Sequence, residues 1–112
     1  MRNLALTYSR LTTELMSFTS RNSTIGTVFT VEGMAGLAIA VGKPEQAARL
    51  IGWADATRER IRNPRPFLEQ ANMDQVVAGC LARMGATTFW DAYAEGRKMT
   101  KEKAVSYALN EN

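Results

Sequence analysis

Apolar residues recur at helical spacing through nearly the whole chain, and turn-forming residues interrupt them at a handful of places. The clearest pattern spans Val31 to Arg62. Val31, Met34, Ala35 and Ala38 lie along one side of a first helix, and Ala47, Leu50, Ile51, Ala54 and Ile61 along one side of a second. Gly42 suits a helix C-terminus and Pro44 a helix start, so the spacing predicts helices over 24–41 and 44–62 joined by Gly42-Lys43-Pro44. A second line in the latter helix, Ala48, Gly52 and Ala56, is small at every fourth position. Another backbone is expected to approach closely there.

On either side the reasoning is the same. Leu4, Leu11, Leu15 and Phe18, with Tyr8 close to their line, predict a helix over 2–20. Arg21 to Thr24 breaks it, and Ser23 or Thr24 can cap the next helix, whose inward positions begin with Ile25, Val28 and Phe29. Asn63-Pro64-Arg65-Pro66 is a linker, because each proline disfavours helix in the residue before it. A fourth helix over 67–84 carries Met73, Val76, Val77, Cys80 and Met84 inward and closes at Gly85. Thr88, three residues before Asp91, resembles a cap, predicting a helix over 88–98 with Phe89, Trp90, Tyr93 and Ala94 inward. Thr100 then caps a last helix over 100–110, with Ala104, Val105, Ala108 and Leu109 inward. Met34-Ala35-Gly36 ending at Gly42 recurs 43 residues on as Val77-Ala78-Gly79 ending at Gly85. The expected fold is all-α, a single domain over 1–112 built of about six helices in antiparallel hairpins.

Composition narrows the functions. A chain of 112 residues, 46% hydrophobic and 22% charged, has room for one modest core. The net charge of +3 is spread along it, and the tightest basic cluster, Arg58, Arg60, Arg62 and Arg65, is interrupted by Glu59. That speaks against direct nucleic-acid binding, which concentrates Lys and Arg on one face. Cys80 is the only cysteine and fits a core thiol. There is no histidine, which removes the commonest general base and metal ligand, so no metal and no cofactor are expected. The longest uncharged apolar run, Met34 to Gly42, is far below the roughly 20 residues that span a bilayer. With no signal-peptide core at the N-terminus, the chain reads as cytoplasmic.

Counted outward from Gly42, the small and apolar positions resemble those of a tetratricopeptide repeat, which implies a right-handed array of helical hairpins. The stretch from Glu32 to Leu109 is more specifically similar to the C-terminal end of large bacterial LuxR-type regulators with a STAND ATPase core, MalT-like in layout. Gly42-Lys43-Pro44-Glu45, Ala47 to Gly52 and Ala94-Glu95-Gly96-Arg97 carry that resemblance. It implies a non-catalytic module that receives a protein or peptide partner in a signalling or transcription-regulatory system. The family's ATPase and DNA-binding parts do not carry over: no Gly-Lys-Ser or Gly-Lys-Thr loop occurs. Trp53 departs from the pattern, which favours a small residue after Gly52.

In such repeats the first helix of each hairpin lines the concave side, reached here by Phe29, Glu32, Gly36 and Ile39. Trp53 lies off the main apolar stripe near Arg49 and Arg60, an aromatic-plus-arginine composition common at interfaces. These seven residues are the expected partner-binding set. Packing of the concave groove by the first helix or by a second copy is the plainer alternative, and Leu11, Leu15, Ile25 and Phe29 on the first two helices are the expected face of a homodimer. Other classes remain: a small-ligand sensor fragment, or an enzyme using Asp91 and Glu95, one helical turn apart. For that pair a solvated helix face is the simpler reading.

Overall fold

Asn3, Ser23 and Thr100 start three of the helices as capping residues should. Asn3 Oδ1 accepts from the Leu6 N–H at 3.1 Å, Ser23 Oγ from Gly26 at 3.2 Å and Thr100 Oγ1 from Lys103 at 3.0 Å. In the computed structural model, which describes residues 3–110, the elements are α1 (Leu4–Ser20), α2 (Thr24–Ala40), α3 (Pro44–Ile61), α4 (Phe67–Met84), α5 (Ala86–Arg97) and α6 (Lys101–Asn110). The fold is all-helical, with no strand among the described residues. The expected start of the first helix at Arg2 lies outside them. Gly42 ends α2 with φ +83°, and the Lys43 N–H returns to the Ala38 carbonyl at 2.8 Å. Pro44 then opens α3. One boundary moves: Gly85, at φ +82°, makes the whole turn alone, so α5 begins at Ala86 and Thr88 is inside its first turn rather than capping it.

Helices α1, α2, α3 and α5 pack as a row, with α4 laid against α2 and α3, and α6 also against α2 and α3. Leu15, Val28, Val31, Leu50, Ile51 and Phe89 fill the core between them. The tightest joint is α3 on α5. A Cβ on Gly52 would collide with the Tyr93 carbonyl oxygen, and one on Gly96 with the Arg49 carbonyl oxygen, so the two backbones touch. The line Ala48-Gly52 does receive a neighbouring backbone, and Ala48 and Gly52 are buried.

The direction of the helices is set by side-chain partners. Arg83, near the end of α4, donates to the carbonyl of Ile39, near the end of α2, and Gly79 faces Ile39. Thr88, in the first turn of α5, shares a cleft with Pro44 to Gln46 at the start of α3, while Arg97 near its end reaches Glu59 near the end of α3. So the end of α4 meets the end of α2, while α5 starts beside the start of α3 and crosses it at Gly52 and Gly96. The last helix is α6. It folds back on α2 and α3, buries Ala104 and Ala108, and reaches α1 through the Tyr8 hydroxyl, which donates to the Leu109 carbonyl at 3.1 Å.

Trp53 is not a surface residue. It is 1% exposed and belongs to the main core, because α3 is covered by α2, α4, α5 and α6 and has almost no solvent side. Trp90 and Ala94, expected inward, are exposed; Ala92 and Gly96 take the inner face of α5 with Phe89.

Candidate partner-binding surface

The proline linker delivers one side chain inward. Arg62 ends α3 in the left-handed conformation (φ 56°, ψ 47°), Pro64 and Pro66 hold the linker out of helical conformation, and between them Arg65 turns back under α4. Its side chain is 5% exposed. Arg65 Nε donates to Glu32 Oε2 at 2.7 Å, and its Nη2 lies 2.6 Å from Asp55 Oδ1, an ion pair set off the hydrogen-bonding direction. Arg58 grips the same glutamate with both arms of its fork, Nε to Oε2 at 2.7 Å and Nη2 to Oε1 at 3.1 Å, and donates from Nη1 to the Asn63 carbonyl at 2.9 Å. Glu32 and Arg58 are 8% and 4% exposed. Two carboxylates thus balance two guanidinium groups, and no net charge is buried.

The network continues outward. Asp55 Oδ2 accepts from the Tyr93 hydroxyl at 2.6 Å, and Arg97 binds Glu59 through two bonds of 2.8 and 3.2 Å. Arg65 Nη1 also donates to Gln70 Oε1, and Gln70 to Asp74 Oδ1. Burial pulls the pKa of Arg65 down, but Glu32 and Asp55 outweigh it and the net shift is upward. Tyr93 is pushed up to about 12, first by burial and then by its bond to Asp55, against an opposing pull from Arg97. The Arg97 hydrogen bond holds Glu59 below the usual carboxylate range.

Of the expected partner-binding set, Phe29, Glu32, Gly36 and Ile39 do share the side of α2 that faces α4 and its linker. Glu32 is closed off in the network, and Ile39 packs against Gly79. Open space remains beside Gly36, and Phe29 is half exposed with the Arg58 guanidinium 5.2 Å above its ring. Trp53 is core, so it does not join Arg49 and Arg60. Arg49 instead bridges α5 and α6, donating to Glu95 at 2.8 Å and to the Tyr107 hydroxyl at 3.2 Å, whereas Arg60 is exposed at the end of α3. Leu11 and Leu15, expected on a dimer face, are buried. Leu11 lies against Gly33 of α2. Asp91 and Glu95 are both exposed, and Glu95 is held by Arg49.

Three curated mycobacterial proteins, one from Mycobacterium bovis and two from strains of Mycobacterium tuberculosis, are 35% identical to this chain over 78 residues. Each carries a name that assigns it provisionally to the HTH-type transcriptional regulators. The chain is similar to one segment of such a regulator. The match takes in 70% of this chain, which spans about 9% of the length of each relative. No family model matches, and no solved structure matches.

Sequence reasoning did not count Arg65, Asp55 or Tyr93 as site residues: Arg65 entered only as part of a basic cluster and of the proline linker, and Tyr93 only as an inward aromatic.

Proposed function

We propose that this chain is a tetratricopeptide-like protein-interaction module, without catalytic activity, of a bacterial transcription-regulatory protein. The observation that supports this reading is the all-helical fold with its close α3–α5 joint at Gly52 and Gly96, since helical arrays serve as extended binding scaffolds. The similarity to a segment of HTH-type regulators supports the regulatory setting. A LuxR-type regulator with a STAND ATPase core, MalT-like in layout, would carry such an array near its C-terminus. Asp91 is exposed on α5, and Glu95 is exposed and paired with Arg49, which favours a surface role for both. The partner is a protein or peptide rather than nucleic acid, because Arg58 and Arg65 are consumed in internal pairs. No helix among the described residues is long and apolar enough to cross a membrane, and the cytoplasm is the compartment this reading implies. Immobilised chain exposed to bacterial lysate should retain a defined set of proteins that an unrelated helical protein does not. Retention of nothing above that control would overturn the reading.

A groove of about 340 Å³ between α1, α2, α3 and α6, lined by Leu4, Tyr8, Met34 and Leu37 with Lys43 and Gln46 among its walls, favours a second reading as a small-ligand sensor. Thermal stabilisation by small apolar carboxylates, lost in Leu37→Glu, would support it. An unchanged melt across the series would dismiss it.

A further inference from the structure

We propose that the cleft between α3, α5 and α6 binds the phosphate group of a small organic phosphate monoester. This goes beyond the module reading and does not depend on it. The cleft holds about 390 Å³ and is walled by Arg49, Glu95, Lys98, Met99, Lys103 and Tyr107. Spaces of this size suit small metabolites. Its frame is the closest joint of the fold, because Gly96 lies directly against the Arg49 carbonyl and Lys98 follows two residues later. Helix α4 supplies no part of the wall.

Three cations and one carboxylate line it. Arg49 uses Nε for Glu95 and Nη1 for the Tyr107 hydroxyl, which leaves Nη2 without a partner among the described residues. Lys98 and Lys103 are exposed, and neither ammonium makes an ion pair or hydrogen bond among the described residues. With Glu95 matched to Arg49, the two lysines leave the cleft positive. Other carboxylates do not cancel them: Glu45 shares the adjoining cleft with Lys43, Glu102 shares another with Lys101, and Asp91 is not in the wall. Lys103 is also unfavourable to its own helix. Thr100 caps α6 by accepting from the Lys103 N–H, and at that position an acidic side chain would complete the cap whereas a cation opposes the helix dipole. A bound anion offsets both the crowding of cations and that opposition. A phosphate monoester brings about two negative charges at neutral pH and an acceptor oxygen for each of Arg49 Nη2, Lys98 Nζ and Lys103 Nζ, where a carboxylate brings one charge and fewer oxygens. Tyr107 and Met99 offer apolar contact to the organic part, which sets an ester apart from free phosphate. A nucleic-acid backbone draws on a longer line of cations than one cleft supplies.

The test is a titration of the isotope-labelled full chain, monitored by NMR, with phenyl phosphate, with inorganic phosphate and with the singly charged diester methyl phenyl phosphate. Phenyl phosphate should shift the resonances of Arg49, Lys98, Met99, Lys103 and Tyr107 saturably. It should bind on the order of tenfold more tightly than the diester, and several-fold more tightly than inorganic phosphate. Lys98→Gln with Lys103→Gln should weaken it by roughly tenfold or more with little change in the melt. Lys101→Gln, which removes a cation that lines a different cleft, should leave it within about twofold. Equal weakening by Lys101→Gln would mean a diffuse charge effect and sink the site. So would shifts centred on another face, equal binding of the diester, or no saturation below about 10 mM ester. If inorganic phosphate binds as tightly as the ester, the organic part has no role and the proposal falls. Ester binding with nothing retained from lysate leaves this site standing while the module reading fails, and retention without ester binding does the reverse.

Discussion

Glu32 takes three charge-assisted hydrogen bonds from two arginines, so replacing it leaves both guanidinium groups buried and under-compensated. Glu32→Gln is expected to cost about 3–5 kcal/mol, read from urea unfolding, and a loss below about 1 kcal/mol would place the network outside the stability of the fold. Tyr93 offers a second handle. Its folded-state pKa is raised to about 12 from 10, so the native state holds its proton longer than the unfolded chain does. The stabilisation is therefore fully present below pH 10 and is lost as pH rises through 12. Absorbance of tyrosinate should show a late-titrating group that Tyr93→Phe removes; an unchanged titration curve would disprove the assignment. Neither residue could be assigned this role from sequence. Glu32 and Arg58 are 26 positions apart, and their meeting depends on how α2 crosses α3. Trp53 misled for the opposite reason: helical spacing marks one face as inward, and a helix covered on nearly every side has no outward face to mark.

At the level of elements, the joint between α3 and α5 was half legible. The small line Ala48-Gly52-Ala56 announced a close neighbour, but its counterpart, Gly96, was not among the positions of α5 expected inward. Gly52→Leu would drive a side chain into the Tyr93 backbone and is expected to destabilise by about 1–3 kcal/mol through overpacking. A melting temperature equal to that of the wild type would refute the contact. Helix α4 is the least embedded of α2 to α5. Only Met73 and Cys80 are buried along its 18 residues, and polar contacts at Arg65, Gln70 and Arg83 help hold it. Such an element opens ahead of the rest. Cys80 reports on it, because its thiol is buried and its pKa is raised by that burial against a weaker pull from Arg83. Thiol-specific reagent should modify native protein slowly, and Arg65→Met should speed the reaction on the order of tenfold with a smaller change in the global unfolding midpoint. Rates that rise only in proportion to global unfolding would mean that α4 does not open by itself.

For the whole molecule, six helices were readable because Gly42, the proline pair and Gly85 punctuate strong apolar stripes. The return of α6 was not, since its stripe of Ala104, Val105, Ala108 and Leu109 fits a further layer of the stack as well as a position across α2 and α3. Its place is marked by the Tyr8–Leu109 bond, which joins residues at opposite ends of the described chain. That bond brings the beginning of α1 and the end of α6 together, with Asn3 little more than one helical turn before Tyr8, about 8 Å along the axis. The chain path is thus nearly a closed ring. A circular permutant that links residue 110 to residue 3 through a short glycine-serine bridge and starts instead at Lys43 should fold to the same helix content, checked by circular dichroism. Success would make the order of the hairpins along the chain separable from their order in space, so that a host protein could carry the unit as an insert in one of its own surface loops, entering and leaving at a single point.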